Sequence, residues 1–489
     1  MKMRIASAAL VLAVSAAAMG LTREVASAAD VVPATQPAAV APLGGIAQIM
    51  EQGLKSLVVV EYTLRNENAS HEEVGQGIVV DEQAGVVIVA GAFVPEGVPM
   101  EWVKDIKIRV PKKKFTTIPA TFLGRTANRL FAYVKATGGG AALDTPALGH
   151  SQTGKVTLGR EVMGVGRFEK EGGYEPYTGI GRIRATLRLT HDIVFTQTFG
   201  LTRGNSPVYD TQTGALVGIT LPAMPETMVM SMGGNAARVQ LKDDDQAAAF
   251  LPWEEVKDAF TEVPKEVFDA RRPWLGIDGS TGMDEDLRTK YGIEQIAGLS
   301  VGSVIPGMPA DQAGLKSTDI ILTVDGKEFS ESPVPDLMMS HFSRALERTK
   351  IGQDIKLGIL REGKTKMELT VKMAANPKIG TEYPLTFNTK VGISTRDLAF
   401  NDTYSRKLPE NQKGVMIALV KQGAPASLGA TALKQGFLIT RLNDQEVENQ
   451  KQFAQLLETA TADAEQKEVV FRVIRPDGET QVCRIDLTK

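Results

Sequence analysis

Between residues 57 and 222 the chain is a succession of short β-rich runs separated by glycine-marked turns, with few helical patterns. This density of short strands predicts an all-β barrel or sandwich. Within it, Gly75-Gln76-Gly77 predicts a glycine turn that leads into a strand, and residues 81–85 predict a hairpin connection. The part of the chain that follows has a different organisation.

From about residue 272 the sequence repeats itself once. Each copy opens on a short glycine loop, Leu275-Gly276-Ile277 in the first and Val391-Gly392-Ile393 in the second. A proline–alanine segment, a core strand, a helix and a terminal hairpin follow in both. A period of about 100 residues indicates two similar domains rather than a solenoid. The expected domains are therefore residues 46–262, 270–375 and 384–489.

The N-terminus has the pattern of a secretory signal over residues 1–28. Lys2 and Arg4 precede an apolar run, and Ala26-Ser27-Ala28 resembles a cleavage site. Residues 29–45 are rich in Ala and Pro and predict an extended linker. We therefore expect export to the periplasm or envelope. The apolar run is about 17 residues, near the lower limit for crossing a bilayer, so an N-terminal membrane anchor is the alternative.

Composition excludes several classes of function. The net charge is −3, so no basic surface favours nucleic acid. The four histidines lie far apart in the sequence, and a single cysteine, Cys483, permits no intramolecular disulfide. No cofactor and no metal site is predicted.

The segment Thr202-Arg203-Gly204-Asn205-Ser206-Pro207 resembles the nucleophile loop of trypsin-like serine proteases. In the HtrA/Deg family this loop has the sequence Gly-Asn-Ser-Gly-Gly-Pro. In that loop a serine attacks while backbone amides stabilise the oxyanion. The resemblance gives Ser206 the nucleophile position and Gly204 a place in the oxyanion loop. The two glycines after the serine are missing.

The order of motifs resembles an HtrA/Deg protein along nearly all of the mature chain. The parts that carry the resemblance are Gly75-Gln76-Gly77, the Ser206 loop, Phe250-Leu251-Pro252 and the two repeats. The implied fold is mainly β: a trypsin-like double β-barrel followed by two α+β PDZ domains. The resemblance also implies a homo-oligomer, a trimer or larger.

The family's other catalytic residues do not carry over. Its general-base histidine falls on Ala92, and the aspartate that orients the histidine falls on Leu130. A serine is a poor nucleophile without a positioned base. The adjacent His191 and Asp192 are the candidate substitutes, and their pattern at a strand entry is interpreted as a solvated turn. The sequence therefore predicts a catalytically degenerate member, with Ser206 a vestigial nucleophile.

PDZ domains bind extended peptides by strand addition and hold the terminal carboxylate on backbone amides. The two glycine loops, residues 275–277 and 391–393, are the expected carboxylate-binding loops. The functional hypothesis is an exported pseudoprotease that binds peptides or unfolded chain ends as adaptor, holdase or regulator in envelope protein quality control. The alternatives are an active serine endopeptidase using Ser206 with an unrecognised base, and a structural envelope assembly protein.

Overall fold

The computed structural model describes residues 45–111, 116–168, 170–197, 201–202, 204–221, 228–232, 235–239, 248–331, 333–409, 411–462 and 466–488. The predicted signal sequence and almost all of the predicted linker lie outside these residues. None of the helices within the described ranges is long and apolar enough to cross a bilayer.

The first barrel follows a short helix and is closed by six antiparallel strands. Its elements are α1 (Gly45–Leu54), β1 (Leu57–Arg65), β2 (Ser70–Asp81), β3 (Val86–Ala90), β4 (Val103–Val110), β5 (Thr116–Arg125) and β6 (Phe131–Ala136). The strands close in the order β1-β2-β3-β6-β5-β4. Successive side chains of a strand point to opposite faces. Accordingly, Val87 and Val89 pack inside this barrel, whereas Val86 and Ile88 pack in a second core shared with the next barrel.

The second barrel is also closed by six antiparallel strands. Its elements are α2 (Gly139–Leu143), β7 (Glu161–Arg167), β8 (Pro176–Arg188), β9 (Asp192–Gln197), β10 (Pro207–Asp210), β11 (Leu216–Thr220), the hairpin β12 (Met228–Met232) and β13 (Asn235–Val239), β14 (Ala248–Pro252) and α3 (Trp253–Thr261). The barrel order is β10-β11-β14-β9-β8-β7. The predicted all-β region is thus a double barrel.

The predicted glycine turn at residues 75–77 is wrong, because β2 runs straight through it and pairs with β1 along its length. The glycines serve close packing instead. A Cβ at Gly75 would lie 2.7 Å from the Phe93 ring, and one at Gly77 would lie 2.5 Å from Val87. The strand therefore needs glycine for space rather than for a turn.

A buried carboxylate joins the two barrels. Glu61 on β1 is fully buried and accepts hydrogen bonds from Arg109 Nε (2.5 Å) and from Tyr174 of the second barrel (2.7 Å). Lys107 Nζ lies 3.2 Å from its other oxygen. Burial acts to raise the pKa of Glu61, but the hydrogen bonds from Arg109, Tyr174 and Lys107 outweigh it and hold the pKa below its ordinary value. Glu61 is thus a buried anion fixed by its partners.

The first repeat folds around a six-stranded sheet with short accessory strands. Its elements are β15 (Pro273–Trp274), β16 (Ile277–Asp278), β17 (Thr281–Gly282), α4 (Glu285–Lys290), β18 (Leu299–Ser300), β19 (Ser303–Val304), α5 (Pro309–Gln312), β20 (Ile320–Val324), β21 (Lys327–Glu328), α6 (Pro335–Glu347), β22 (Asp354–Arg361), β23 (Thr365–Lys372) and β24 (Ala374–Ala375).

The second repeat folds around a seven-stranded sheet. Its elements are β25 (Thr386–Asn388), β26 (Ile393–Asp397), α7 (Phe400–Ser405), β27 (Val415–Val420), β28 (Leu438–Leu442), β29 (Gln445–Glu446), α8 (Gln450–Ala462), β30 (Glu468–Ile474) and β31 (Thr480–Asp486). Cys483 lies on β31 and is buried in the apolar core of this repeat. The helix and terminal hairpin predicted for each copy are present in both.

Candidate functional site

Ser206 lies immediately before β10, and it is completely buried. Asn205 before it is also buried and has φ of 63°. Asparagine tolerates this left-handed conformation better than most residues because its short polar side chain can hydrogen-bond locally. The amide group of Asn205 donates to the carbonyls of Gln76 and Ile88, both at 3.0 Å. The turn is therefore fixed against the first barrel.

The backbone of the serine loop is bonded to the neighbouring strand β11. The Ser206 amide donates to Thr220 Oγ1 (2.9 Å), and the Asn205 amide donates to the Thr220 carbonyl (2.9 Å). The Thr220 amide in turn donates to the Ser206 carbonyl (2.8 Å). In trypsin-like sites the amide of the nucleophilic serine is one of the two oxyanion donors. In this loop that amide already has an acceptor inside the protein.

Gln76 on β2 occupies the side of Ser206 that faces the first barrel. Its Nε2 donates to Ser206 Oγ (2.7 Å) and to the Asn205 carbonyl (2.8 Å). Its Oε1 accepts from the Arg167 amide on β7 (2.8 Å). Gln76 therefore connects the serine loop, β2 and β7 through three hydrogen bonds. The sequence marked this residue only as part of a motif, and a polar side chain between two glycines was the available signal.

The structure brings together the two other predicted triad positions. Ala92 lies in a 3-10 turn directly after β3, and Leu130 lies directly before β6. The Gly91 amide donates to the Leu130 carbonyl at 2.7 Å, so the two positions are adjacent. Neither a methyl group nor an isobutyl group can accept a proton. The assignment of these two residues to the histidine and aspartate positions remains a prediction.

All four histidines of the chain lie in the described residues, and each contacts groups outside the serine loop. These contacts are His71 with Glu73 (3.0 Å), His150 stacked on Trp253 (5.5 Å between ring centroids), His191 with Glu255 and Glu347 (3.2 and 3.5 Å), and His341 with Ser330 and the Arg188 carbonyl (2.7 and 2.8 Å). An imidazole base at Ser206 would have to leave one of these positions.

The interpretation of His191 and Asp192 as a solvated turn is wrong. His191 is only 19% exposed and lies between the carboxylates of Glu255 on α3 and Glu347 on α6. Arg344 of α6 bonds both Asp192 (2.8 Å) and Glu255 (2.7 Å). Burial raises the pKa of Glu347. For Glu255 burial acts in the same direction, but His191 and Arg344 outweigh it and lower the pKa. The cluster attaches the first repeat to the second barrel.

The glycine loop of the first repeat points its carbonyls inward. Gly276 has φ of 80°, its carbonyl accepts from the Ile305 amide (2.9 Å), and the Leu275 carbonyl accepts from the Ala310 amide (2.8 Å). Among the residues that the structure describes, no acceptor is found for the amides of Leu275 and Gly276. These amides can therefore receive a ligand, and the next residue, Ile277, begins β16.

The glycine loop of the second repeat has the same inward carbonyls, with Gly392 at φ of 82° and bonded to the Lys421 amide (2.8 Å). Its amides differ from those of the first loop. The Val391 amide donates to Asn388 Oδ1 (2.9 Å) and the Gly392 amide to the Asn388 carbonyl (2.8 Å). The predicted second carboxylate-binding loop is thus already bonded within the chain.

Among the described residues no group of three or more His, Cys, Asp or Glu side chains could hold a metal ion. The candidate sites described above are the serine loop and the two glycine loops, and their chemistry is that of hydrogen bonds to backbone amides.

The family model for the PDZ domain matches residues 273–373, the first repeat. Curated relatives are probable periplasmic serine endoproteases of the DegP-like type. One from Pseudomonas savastanoi pv. phaseolicola is 29% identical over 43% of this chain and 41% of its own length. One from Chlamydia trachomatis is 29% identical over 36% of this chain and 33% of its own length. The matched region thus covers less than half of the length of each of these relatives.

A solved structure of a serine-to-alanine variant of the HtrA-type protease AlgW with a decapeptide has the same fold, with a TM-score of 0.50 over 68% of this chain and 98% of that one, at 18% identity. A double six-stranded barrel followed by a PDZ domain defines the HtrA-type architecture. The PDZ match, the DegP-like relatives and the shared fold support the resemblance to the HtrA/Deg family that was drawn from the motifs.

Proposed function

We propose that this protein is a periplasmic HtrA-type pseudoprotease that binds the C-terminal ends of peptides or unfolded chains through its first PDZ domain. It acts in this proposal as an adaptor, holdase or regulator of protein quality control. The periplasmic location is taken from the names of the relatives and from the signal pattern at residues 1–28. The trimeric or larger assembly implied by the family stays a prediction.

The observation that carries the loss of proteolysis is the hydrogen bond from the Ser206 amide to Thr220 Oγ1. An oxyanion hole needs donors that are preorganised toward the substrate. The Ser206 side chain is also fully buried and bonded to Gln76, so a substrate carbonyl would have to displace an internal network to reach it.

The predicted absence of the base is the larger effect. In subtilisin, removing the catalytic base lowers kcat by about 10⁶. Applied to a typical kcat of about 10 s⁻¹, this leaves roughly one turnover per day. A protein with alanine at the base position is therefore not a useful protease.

Peptide binding is proposed because the amides of Leu275 and Gly276 have no acceptor within the described residues. A C-terminal carboxylate would accept hydrogen bonds from these amides, and the preceding peptide residues would add as a strand beside β16. The solved AlgW structure contains a decapeptide, which supports peptide binding as a property available to this architecture.

Two assays on the purified protein test the proposal. A fluorophosphonate probe and casein digestion test catalysis, and a C-terminal peptide array tests binding. We expect no labelling, no cleavage and binding that requires a free peptide carboxylate. Labelling and cleavage that both disappear in Ser206→Ala would establish a protease instead. Failure to bind any peptide with a free C-terminus would favour an assembly role.

Restoring the two predicted triad positions is expected not to restore proteolysis. In the double variant Ala92→His/Leu130→Asp the Ser206 amide keeps its bond to Thr220, and loss of one oxyanion donor alone costs about 10²–10³ in kcat. We expect casein cleavage at least a hundredfold below that of an active HtrA-type protease measured alongside. Thermal unfolding of the variant provides the control for folding, and cleavage at the rate of the active protease would contradict the prediction.

A further inference from the structure

We infer that the second PDZ domain is occupied by a segment of its own chain, Thr386-Phe387-Asn388, which acts as an internal ligand. External peptides then bind only at the first PDZ domain. This inference deepens the proposed function and rests on it for the identity of the external ligand, but the occupation of the second domain is a separate structural claim.

The pairing of strand β26 supports this inference. After the glycine loop, β26 pairs with β27 on one edge and with β25 on the other. Strands β25 and β26 are antiparallel. In their register Thr386 lies opposite Thr395, Phe387 opposite Ser394 and Asn388 opposite Ile393. Strand addition to a sheet edge is the way in which PDZ domains bind peptides. Both edges of β26 are thus already taken.

The first PDZ domain provides an internal comparison, because its corresponding strands pair differently. The strand before its loop, β15, pairs with β24 rather than with the strand after the loop. The strand after the loop, β16, pairs with β19, just as β26 pairs with β27. Within the described residues, a strand is therefore added at β26 and not at β16.

Asn388 supplies the oxygens that a peptide terminus would otherwise supply. Its carbonyl accepts from the Gly392 amide (2.8 Å), and its Oδ1 accepts from the Val391 amide (2.9 Å) and the Lys390 amide (3.1 Å). Two oxygens held by consecutive backbone amides reproduce the way in which a terminal carboxylate is captured. The corresponding amides at Leu275 and Gly276 have no such acceptor in the described part of the chain.

The segment before the internal ligand is attached to the first barrel. Thr381 Oγ1 donates to the Glu96 carbonyl (2.7 Å), and the Leu385 amide donates to Glu101 Oε1 (3.2 Å). Glu382 accepts from Arg129 (3.1 Å) and Arg271 (2.8 Å). These contacts hold the ligand segment beside its groove, so that its effective concentration there is on the order of millimolar or higher. An external peptide must compete with it.

The first test measures hydrogen exchange in the full chain. We expect protected amides at Val391 and Gly392 and fast exchange at Leu275 and Gly276 without added peptide. Asn388→Ala removes the Oδ1 acceptor and should speed exchange at Val391 about tenfold. Asn388→Asp keeps acceptor oxygens and should retain protection, and Thr389→Ala changes an exposed neighbour and should have no effect. Exchange at Val391 and Gly392 as fast as at Leu275 and Gly276 in the native protein would overturn the inference.

The second test measures peptide stoichiometry with a fluorescent C-terminal peptide selected on the native protein. We expect a single site per native chain and a second site in Phe387→Ala/Asn388→Ala. Two equivalent sites in the native protein would refute the internal ligand. If no peptide binds either protein, the proposed function fails, while the exchange pattern still decides whether the second loop is occupied.

Discussion

Replacing Arg109 by alanine is expected to lower the free energy of unfolding of the double barrel by about 3 kcal/mol. The reason is the burial of Glu61, whose carboxylate would lose its shortest hydrogen bond, the one from Arg109 at 2.5 Å. Removing one partner of a buried ion pair leaves an uncompensated charge. Lys107 and Tyr174 remain beside Glu61, which places the expected loss at the lower end of the usual range.

Urea denaturation followed by circular dichroism and tryptophan fluorescence measures this effect. The midpoint of the barrel transition should fall by about 1 M. Lys257→Ala is the matched control on α3, because it removes an exposed ion pair with Glu254 and should cost less than about 1 kcal/mol. Arg109→Ala/Glu61→Gln should recover part of the loss, since the buried charge is removed. A midpoint for Arg109→Ala equal to that of Lys257→Ala would contradict the buried-anion explanation.

Substituting alanine at Gly276 is expected to weaken binding of external peptides about a hundredfold, through loss of about 3 kcal/mol of charge-assisted hydrogen bonds to the carboxylate. Gly276 has φ of 80°, and a Cβ there would lie 2.3 Å from Met308 Cβ. The loop must therefore shift, and its amides move with it. Fluorescence anisotropy of a labelled C-terminal peptide measures the affinity.

Gly392→Ala is the matched control for this prediction. Its φ is 82° and its added Cβ would lie 2.1 Å from Ala424 Cβ, so the strain is closely similar. Both variants should lower the unfolding midpoint of their domain by a similar amount. Only Gly276→Ala should reduce peptide affinity, because the second loop is bonded to Asn388. An equal loss of affinity in the two variants would mean that both domains bind external peptide.

The elements of the fold could be predicted because their signals are local. Glycine-marked turns and short β-rich runs identified the all-β region, and the repeat identified two similar C-terminal domains. The error at Gly75 and Gly77 shows the limit of such signals. Whether a glycine makes a turn or admits a neighbouring ring depends on Phe93 and Val87, which adjoin it only after folding.

The candidate sites could be predicted in position but not in bonding. The Ser206 loop and both glycine loops were found from their motifs. The partners that decide their chemistry come from distant parts of the chain, since Gln76 is 130 residues from Ser206. Asn388 is close in sequence to the Val391 and Gly392 amides that it binds. The first repeat has no such contact in the described residues, and the similar sequences of the two glycine loops gave no sign of this difference.

The ion-pair cluster at His191 illustrates the same limit. A histidine beside an aspartate at a strand entry resembles an exposed turn until the packing of another domain is known. Glu347 and Arg344 reach this turn from the first repeat, more than 150 residues away along the chain. Local sequence carries no signal for such a contact.

The bond between Gln76 and Ser206 has a consequence for genetic studies. Mutating the apparent nucleophile to alanine is a standard way to show that a phenotype needs catalysis. In this protein the same mutation would also leave a buried amide donor of Gln76 with one acceptor fewer at a junction between the two barrels. A defect in cells that carry this allele could then arise from a lower amount of folded protein rather than from lost catalysis. Comparing the protein levels of the mutant and native alleles distinguishes the two causes.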